Sequence, residues 1–363
     1  MSNKENIESK NHIKIIKSFS ISAISIILAL FISVFFVMWA KDYNFTKASG
    51  LLFKSIWKGS FGSKANLIET FVFATPLIFT GLAHAVAFRT GLFNIGVEGQ
   101  FIMGMIIATL VGLIPGIPAI VHIPLTILAG TVAGALWAGI PGYLKARVGT
   151  NEVVNTIMLN FVAKSVSNYF TMGPFHMQDS ATTPNIQKSS ELFRFLGQFN
   201  RLNVSLIIAI VFAFLVYILL WKTTTGYEIR AVGLSPTSAE YGGISIKKNI
   251  ILAMVISGII AGLGGATHVM GVQHQSMQLG GFPGYGMDGI AVALVAKSNP
   301  IGVIFSAILF AALNYSSGTL MLAGIPKTIV YLIQGIIILF IAGEYAFKLI
   351  SQRMKKKEAL ANE

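Results

Sequence analysis

The chain has 363 residues, 54% of them hydrophobic and only 11% charged, with a mean hydropathy of +0.72. Soluble domains carry roughly a quarter charged residues, so this composition is that of an integral membrane protein, and the lack of cysteine excludes disulfides, thiolate catalysis and cysteine-bound metal or iron–sulfur sites. The net charge of +13 comes from Lys and Arg that flank apolar runs and form no aromatic-interleaved patch, a pattern of membrane anchoring and not of nucleic-acid binding.

Met1 to Lys17 is polar and basic, a short lead. Ser18 to Ala40 runs without a charge, long enough at 1.5 Å per residue to cross a hydrocarbon core of ~30 Å. No small-residue cleavage site follows it, so it reads as a retained first span. Lys41 to Glu69 is mixed and polar, and Thr70 to Phe88 forms a second span closed by Arg89. The next twelve residues, RTGLFNIGVEGQ from Arg89 to Gln100, place three glycines, Asn94, Glu98 and Gln100 at a membrane boundary. Irregular backbone and a carboxylate at that depth are tolerated only against protein or a water-filled cavity. An ordinary turn with a Glu opening a helix uses the same residue types.

Gly99 to Leu144 is uncharged and too long for one span; Pro115, Pro118, His122 and Pro124 divide it into two helices. Lys145 and Arg147 close that pair, and Gly149-Thr150-Asn151-Glu152 opens a fifth helix with Lys164 inside it. Gly173 to Asn203 is a long external loop, and Leu202 to Trp221 a sixth span. Asn249 to Met287 is uncharged but interrupted by GVQHQSMQLGGFPGYG, Gly271 to Gly286, whose glycines and Pro283 predict a broken or re-entrant element. Apolar segments follow at Gly289 to Ala296, Ile301 to Leu322 and Thr328 to Gly343, before a basic tail. The expected fold is an all-α polytopic membrane protein of about ten transmembrane helices. Its membrane domain is 18–343, between an N-terminal segment 1–17 and a tail 344–363. With both termini cytoplasmic, most Lys and Arg fall inside; Lys41, Lys47, Lys54, Lys58 and Lys64 count against this orientation.

The chemistry is sparse. No GxxxxGK[ST] phosphate loop and no HExxH spacing occur, and only Glu98, Glu152, Lys164 and Asp288 carry charge at or within apolar segments. An enzyme therefore has little support, and a transporter or channel is the default. Asn151, Asn155, Thr156 and Asn160 make a polar stripe on an apolar helix, suited to a pathway or to interhelical hydrogen bonding. Glu98 and Glu152 follow glycine-containing turns, placed either to cap helix starts or to meet substrate. His268, Gln273, His274 and Gln275 stand near the external mouth. In the polar stretch Gly226 to Lys248, Ser235 is a plausible N-cap and Pro236 suits a first helical position. The short helix so predicted, Ser235 to Tyr241, either docks into a cleft on another protein or merely turns the chain.

Five separate motifs carry a resemblance: GLFNIGVEGQ at Gly91 to Gln100, GTNEVVNTIMLNFVA at Gly149 to Ala163, GYEIRAVGLSPTSAEYGGI at Gly226 to Ile244, GGATHVMG at Gly264 to Gly271 and GFPGYGMDGIAVALVA at Gly281 to Ala296. Together, and in this order, they resemble the permease family of ABC importers for nucleosides and simple sugars, over nearly all of the chain after about Leu67. Lys164 departs from the family pattern, which is usually apolar there. The resemblance implies a type II ABC importer permease-like fold, in the cytoplasmic membrane of a bacterium. It implies as partners a separate ATPase subunit that binds ATP, a second permease of a different chain, an external substrate-binding lipoprotein and a nucleoside substrate; this chain itself would hold no cofactor. Arg230, Ala231, Gly233, Ser235, Pro236, Ala239, Glu240 and Gly243 fall on the family's coupling helix, against the ATPase. A nucleoside is neutral, so amides, hydroxyls and aromatics suit it better than full charge. The candidate pathway residues are accordingly Asn94, Glu98, Gln100, Asn151, Glu152, Asn155, Asn160, His268, Gln273 and His274. A permease for a simple sugar or a branched-chain amino acid is the alternative within this machinery, and an ion-coupled secondary transporter the alternative outside it.

Overall fold

A computed structural model describes residues 27–197, 200–341 and 343. The expected lead 1–17, the first residues of the first span and the basic tail lie outside the described residues. Thirteen α-helices are described: α1 (Ile27–Lys41), α2 (Phe45–Ser60), α3 (Lys64–Arg89), α4 (Val97–Gly112), α5 (Ala119–Val148), α6 (Glu152–Met172), α7 (Ser205–Lys222), α8 (Thr224–Leu234), α9 (Pro236–Tyr241), α10 (Ile246–His268), α11 (Tyr285–Val295), α12 (Pro300–Leu322) and α13 (Thr328–Ile341). The only β-contacts among the described residues are two isolated bridges, Thr182 with Met277 and Arg194 with Asn203.

Five helices are long and apolar enough to cross a membrane: α3, α5, α7, α10 with its extension to Gln273, and α12. The pair α1 and α2, bent by 112°, would add a sixth. Helix α6 has the length, but its polar stripe keeps it out of that set. Helix α11 spans about 16 Å, roughly half a hydrocarbon core. The segment expected as polar from Lys41 to Glu69 instead holds α2 and the start of α3. Ser63 caps α3 by accepting from the Asn66 N–H at 3.1 Å, which sets the second span's start at Lys64. Likewise the break inside 99–144 lies at residues 113–118; His122 and Pro124 belong to α5. Pro124 lies inside the helix and leaves the Ile120 carbonyl without its usual i+4 donor.

The described residues form two compact units, one from those up to 62 and from 316 onward, the other from those between 63 and 315. In the first, Phe31 and Phe35 pack on Phe45 at 5.6 and 6.0 Å, across the bend between α1 and α2. The second is built on α3, α4, α5 and α10. Helix α3 is buried along 83% of its most apolar window, whereas α5 is buried along only 22% and turns most of its surface outward.

Helices α5 and α10 touch backbone to backbone. A Cβ at Gly134 would lie 2.4 Å from the Gly258 carbonyl oxygen, and one at Gly258 would lie 2.3 Å from that of Gly134. With no hydrophobic drive between helices in lipid, such small-residue contacts are what hold them together. The spacing of Gly130, Gly134 and Ala138 against Gly258, Gly262 and Ala266 repeats the contact every four residues, one stripe on each helix.

Candidate functional site

The turn between α3 and α4 is a closed polar cluster. Asn94 accepts from the Gly96 N–H at 3.1 Å and donates to Ser257 Oγ on α10 at 2.9 Å, and its amide exchanges hydrogen bonds with Gln100. Asn160, on α6, accepts from the Gly99 N–H at 2.8 Å and donates to the Ile95 carbonyl at 3.0 Å. Asn94, Glu98, Gln100 and Asn160 are all buried, and each bonds to protein.

Glu98 has the most demanding position. Its Oε1 accepts from the Gly284 N–H at 2.7 Å, and its Oε2 from Gly286 and Met287 at 2.5 and 3.2 Å. These are the otherwise orphaned amides at the start of α11, so a carboxylate on α4 caps a helix nearly two hundred residues later and complements its dipole. Gly286 is obligatory there, since a Cβ would come within 2.4 Å of the Glu98 backbone nitrogen. Glu152 pairs instead with Lys145 at 2.8 Å. Asn151 caps α6 by accepting from Val153 at 2.9 Å, and Asn155 donates to Thr150 Oγ1 at 2.6 Å.

The broken element is real and held from the side. Helix α10 loosens into a wider turn over Val269–Gln273, His274 ends it in the left-handed region (φ 59°), and no helix resumes until Tyr285. One face of α6 grips the irregular stretch. Lys164 Nζ donates to the Gly280 carbonyl at 2.8 Å, the Asn168 side chain bonds both the N–H and the carbonyl of Leu279, and Thr171 meets Ser276 at 3.1 Å. Lys164, the departure from the family pattern, thus supplies a donor to otherwise exposed backbone. The loop between α6 and α7 covers the other side: Thr183 and Ile186 donate to the Ser276 and His274 carbonyls at 2.9 and 2.8 Å. His274 itself takes a hydrogen bond from Arg194 at its Nε2. Burial holds the His274 imidazole below its ordinary value, with Glu191 opposing and Arg194 reinforcing the shift.

Beside this element lies a cavity of about 290 Å³, lined among others by Phe73, Arg201, His268, Gln273, Met277 and Tyr285. His268 and Gln273 were expected near a mouth; His274 is turned to the loop. Arg201 was not expected: its guanidinium is forked onto Glu69, at 3.2 and 2.5 Å, so the cavity carries a balanced charge. The polar loop around Arg201 offered no signal that would single it out. Tyr285 stood within the GFPGYG motif, but sequence alone does not bring it 5.0 Å from the His268 ring.

At the other end of α10, about 33 Å away along its axis, lies the short helix α9. Ser235 caps it, accepting from Ser238 at 3.3 Å, and Pro236 opens it. Gly243 (φ 80°) ends it with Ile244 donating back to the Ala239 carbonyl at 3.0 Å. Ala239 is buried, Glu240 is exposed, and the apolar Leu234 and Tyr241 are 88% and 92% exposed. Gly233 presses on the end of α3, where a Cβ would lie 2.1 Å from the Arg89 carbonyl oxygen; Ala231 accepts from the Ser235 N–H at 3.1 Å. Arg89 in turn donates to the Lys297 and Ser298 carbonyls at 3.0 and 3.1 Å, and both Arg89 and Arg230 lie over the Trp221 ring, at 5.0 and 5.7 Å. The ends of α3, α7, α8 and α11 are therefore fastened together beside α9.

Residues 66–342 match the family described as branched-chain amino acid transport system / permease component. The chain is 39% identical over 320 residues to the guanosine ABC transporter permease protein NupP of Bacillus subtilis, covering 87% of this chain and 91% of that one. It is 36% identical to the nucleoside ABC transporter permease protein NupB of Lactococcus lactis, over 85% of this chain and 87% of that one. It is 32% identical to the glucose ABC transporter permease protein TsgB13 of Haloferax volcanii, over 83% and 81% respectively. No solved structure matches it.

Proposed function

The chain belongs to the permease family of branched-chain amino acid transport systems, a family of multi-pass membrane proteins, and from that premise we propose that it is the permease subunit of an ABC importer for nucleosides. The observation that carries the substrate class is the similarity, over most of the chain, to permeases named for guanosine and for nucleosides. ATP is bound and split by a separate ATPase subunit, and this chain contributes half of the pathway beside a second permease, fed by an external binding lipoprotein.

Helix α9 is the part that meets the ATPase. Its exposed Leu234 and Tyr241 flank a small, preformed helix suited to a groove. Movement there reaches α3 through Gly233, and through Arg89 and Trp221 reaches the ends of α11 and α7, which is how a closing ATPase would rock the bundle. The basic residues Arg89, Arg230 and Lys297 gather at this end, which supports reading it as the cytoplasmic one. The buried Glu98, Asn94, Gln100 and Asn160 then act as positioning residues that fix the α3–α4 turn and the start of α11. His268 and Gln273 contribute to the pathway itself.

The test is uptake of radiolabelled guanosine, uridine, ribose and leucine by cells with and without the chain, repeated with Leu234→Ser and Tyr241→Ser together. Loss of nucleoside uptake in both, with the altered protein still in the membrane, is expected. Unchanged nucleoside uptake in cells without a redundant importer would refute the reading. The glucose-named relative supports one second reading, a sugar permease, which loss of ribose uptake alone would favour.

A further inference from the structure

Resting on the nucleoside reading above, we infer that the 290 Å³ cavity is a binding subsite within the permease that recognises the heteroaromatic base of the nucleoside, with His268 and Gln273 as its specificity-determining pair. Two residues that line it each bury a polar atom with no partner among the described residues, His268 Nδ1 and Gln273 Oε1. His268 is only 6% exposed. Buried polar groups in folded proteins are nearly always bonded, so two such exceptions on the residues of one cavity point to a ligand that completes them when the side chains turn toward it. The neighbouring His274 Nδ1 also lacks a partner, whereas Asn168 and Asn203 each make at least two hydrogen bonds.

The chemistry of the walls selects the ligand. Neutral imidazole and carboxamide each offer a donor and an acceptor, the pairing that base edges present. Phe73 and Tyr285 add aromatic surface and Met277 a polarizable thioether, all suited to a flat ring. A phosphorylated ligand is disfavoured because Arg201 is already engaged by Glu69. The volume sits at the lower limit of small-molecule pockets, fit for a single ring system and its sugar edge and not for an oligomer. Met277, which also lines the cavity, is 44% exposed.

The experiment measures guanosine, uridine and cytidine uptake, singly and in competition, by the complete importer carrying His268→Gln, Gln273→Glu or Met277→Trp, with membrane abundance followed by an epitope tag. The external binding protein is the same throughout, so a change in the ratio between nucleosides reports the permease. A lost hydrogen bond to a base is worth up to about tenfold. The expected result is a shift of severalfold to tenfold in the guanosine-to-uridine ratio with His268→Gln and Gln273→Glu, and a raised KM for all three nucleosides with Met277→Trp. Met277→Trp, at an exposed position, keeps the test valid if either buried variant fails to reach the membrane. Unchanged ratios and KM values, or a uniform loss for every nucleoside at normal abundance in the His268 and Gln273 variants, would overturn base recognition. Absence of nucleoside uptake by the unmodified importer would instead overturn the nucleoside reading on which the inference rests.

Discussion

Replacing Glu98 by Ala removes the acceptor of three backbone N–H groups at once, those of Gly284, Gly286 and Met287. Hydrogen bonds to a charged acceptor contribute ~1.5–3 kcal/mol each. Part of that sum is offset because the variant no longer buries a carboxylate, so the net loss is roughly 3–5 kcal/mol, in line with stripping one side from a buried polar pair. Glu98→Gln keeps one oxygen but turns an NH₂ group toward at least one of the donors, with an expected loss of about half as much. The assay is amide hydrogen exchange by mass spectrometry on the peptide across residues 284–287, in the purified protein in detergent. A local opening eased by ~3 kcal/mol speeds exchange by about two orders of magnitude. Thermal unfolding in the same detergent should drop in the order Ala, then Gln, then wild type. Exchange within about threefold of wild type in Glu98→Ala would refute the capping argument and leave the carboxylate available for another role.

Gly258→Val should force α5 and α10 apart and cost ~3 kcal/mol or more, because its side chain would collide with the Gly134 carbonyl at 2.3 Å. Gly139→Ala is the control, since its nearest neighbour is Val255 at 3.7 Å, and thermal unfolding of the two should differ clearly. Arg89→Lys loses the fork onto the Lys297 and Ser298 carbonyls and should lower stability by ~1–2 kcal/mol while weakening the dependence of uptake on ATPase activity. The His274 contribution should depend on pH. Its folded value is depressed, so the stabilisation is complete above the unfolded value of about 6.5 and is lost as pH falls through it toward the folded one. Intrinsic amide exchange slows as pH falls, so the expected signal is a protection factor of the Ile186 amide, which donates to the His274 carbonyl, that decreases between pH 8 and 5. The same pH response in His274→Ala would exclude the imidazole as its source.

Much of this protein was legible in one dimension, for physical reasons. Charge-free runs bounded by Lys and Arg specify helices in lipid, because the bilayer leaves the backbone no other partners. Ser235 followed by Pro236 located α9 to the residue, since capping is local chemistry. The glycines and Pro283 marked the broken element between α10 and α11. Composition could not locate the start of α3, where the Ser63 cap outweighs the charge of Lys64 and Glu69. Nor could it tell that Pro118 is the last residue of the break before α5.

The tertiary structure alone decided what the polar residues do. A glutamate after a glycine turn suits its own helix, a distant one or a ligand equally well; only the fold brings the amides of α11 to Glu98. Lys164 has no explanation in its own helix, and the Gly280 carbonyl that it bonds comes from a distant segment. The cavity joins Phe73, Arg201, His268 and Tyr285 from four separate stretches of chain, and no spacing rule connects them. Local propensity acts over a few residues, whereas a site is made by which helices touch, and here that was settled by glycine stripes that let α5 and α10 meet at backbone distance.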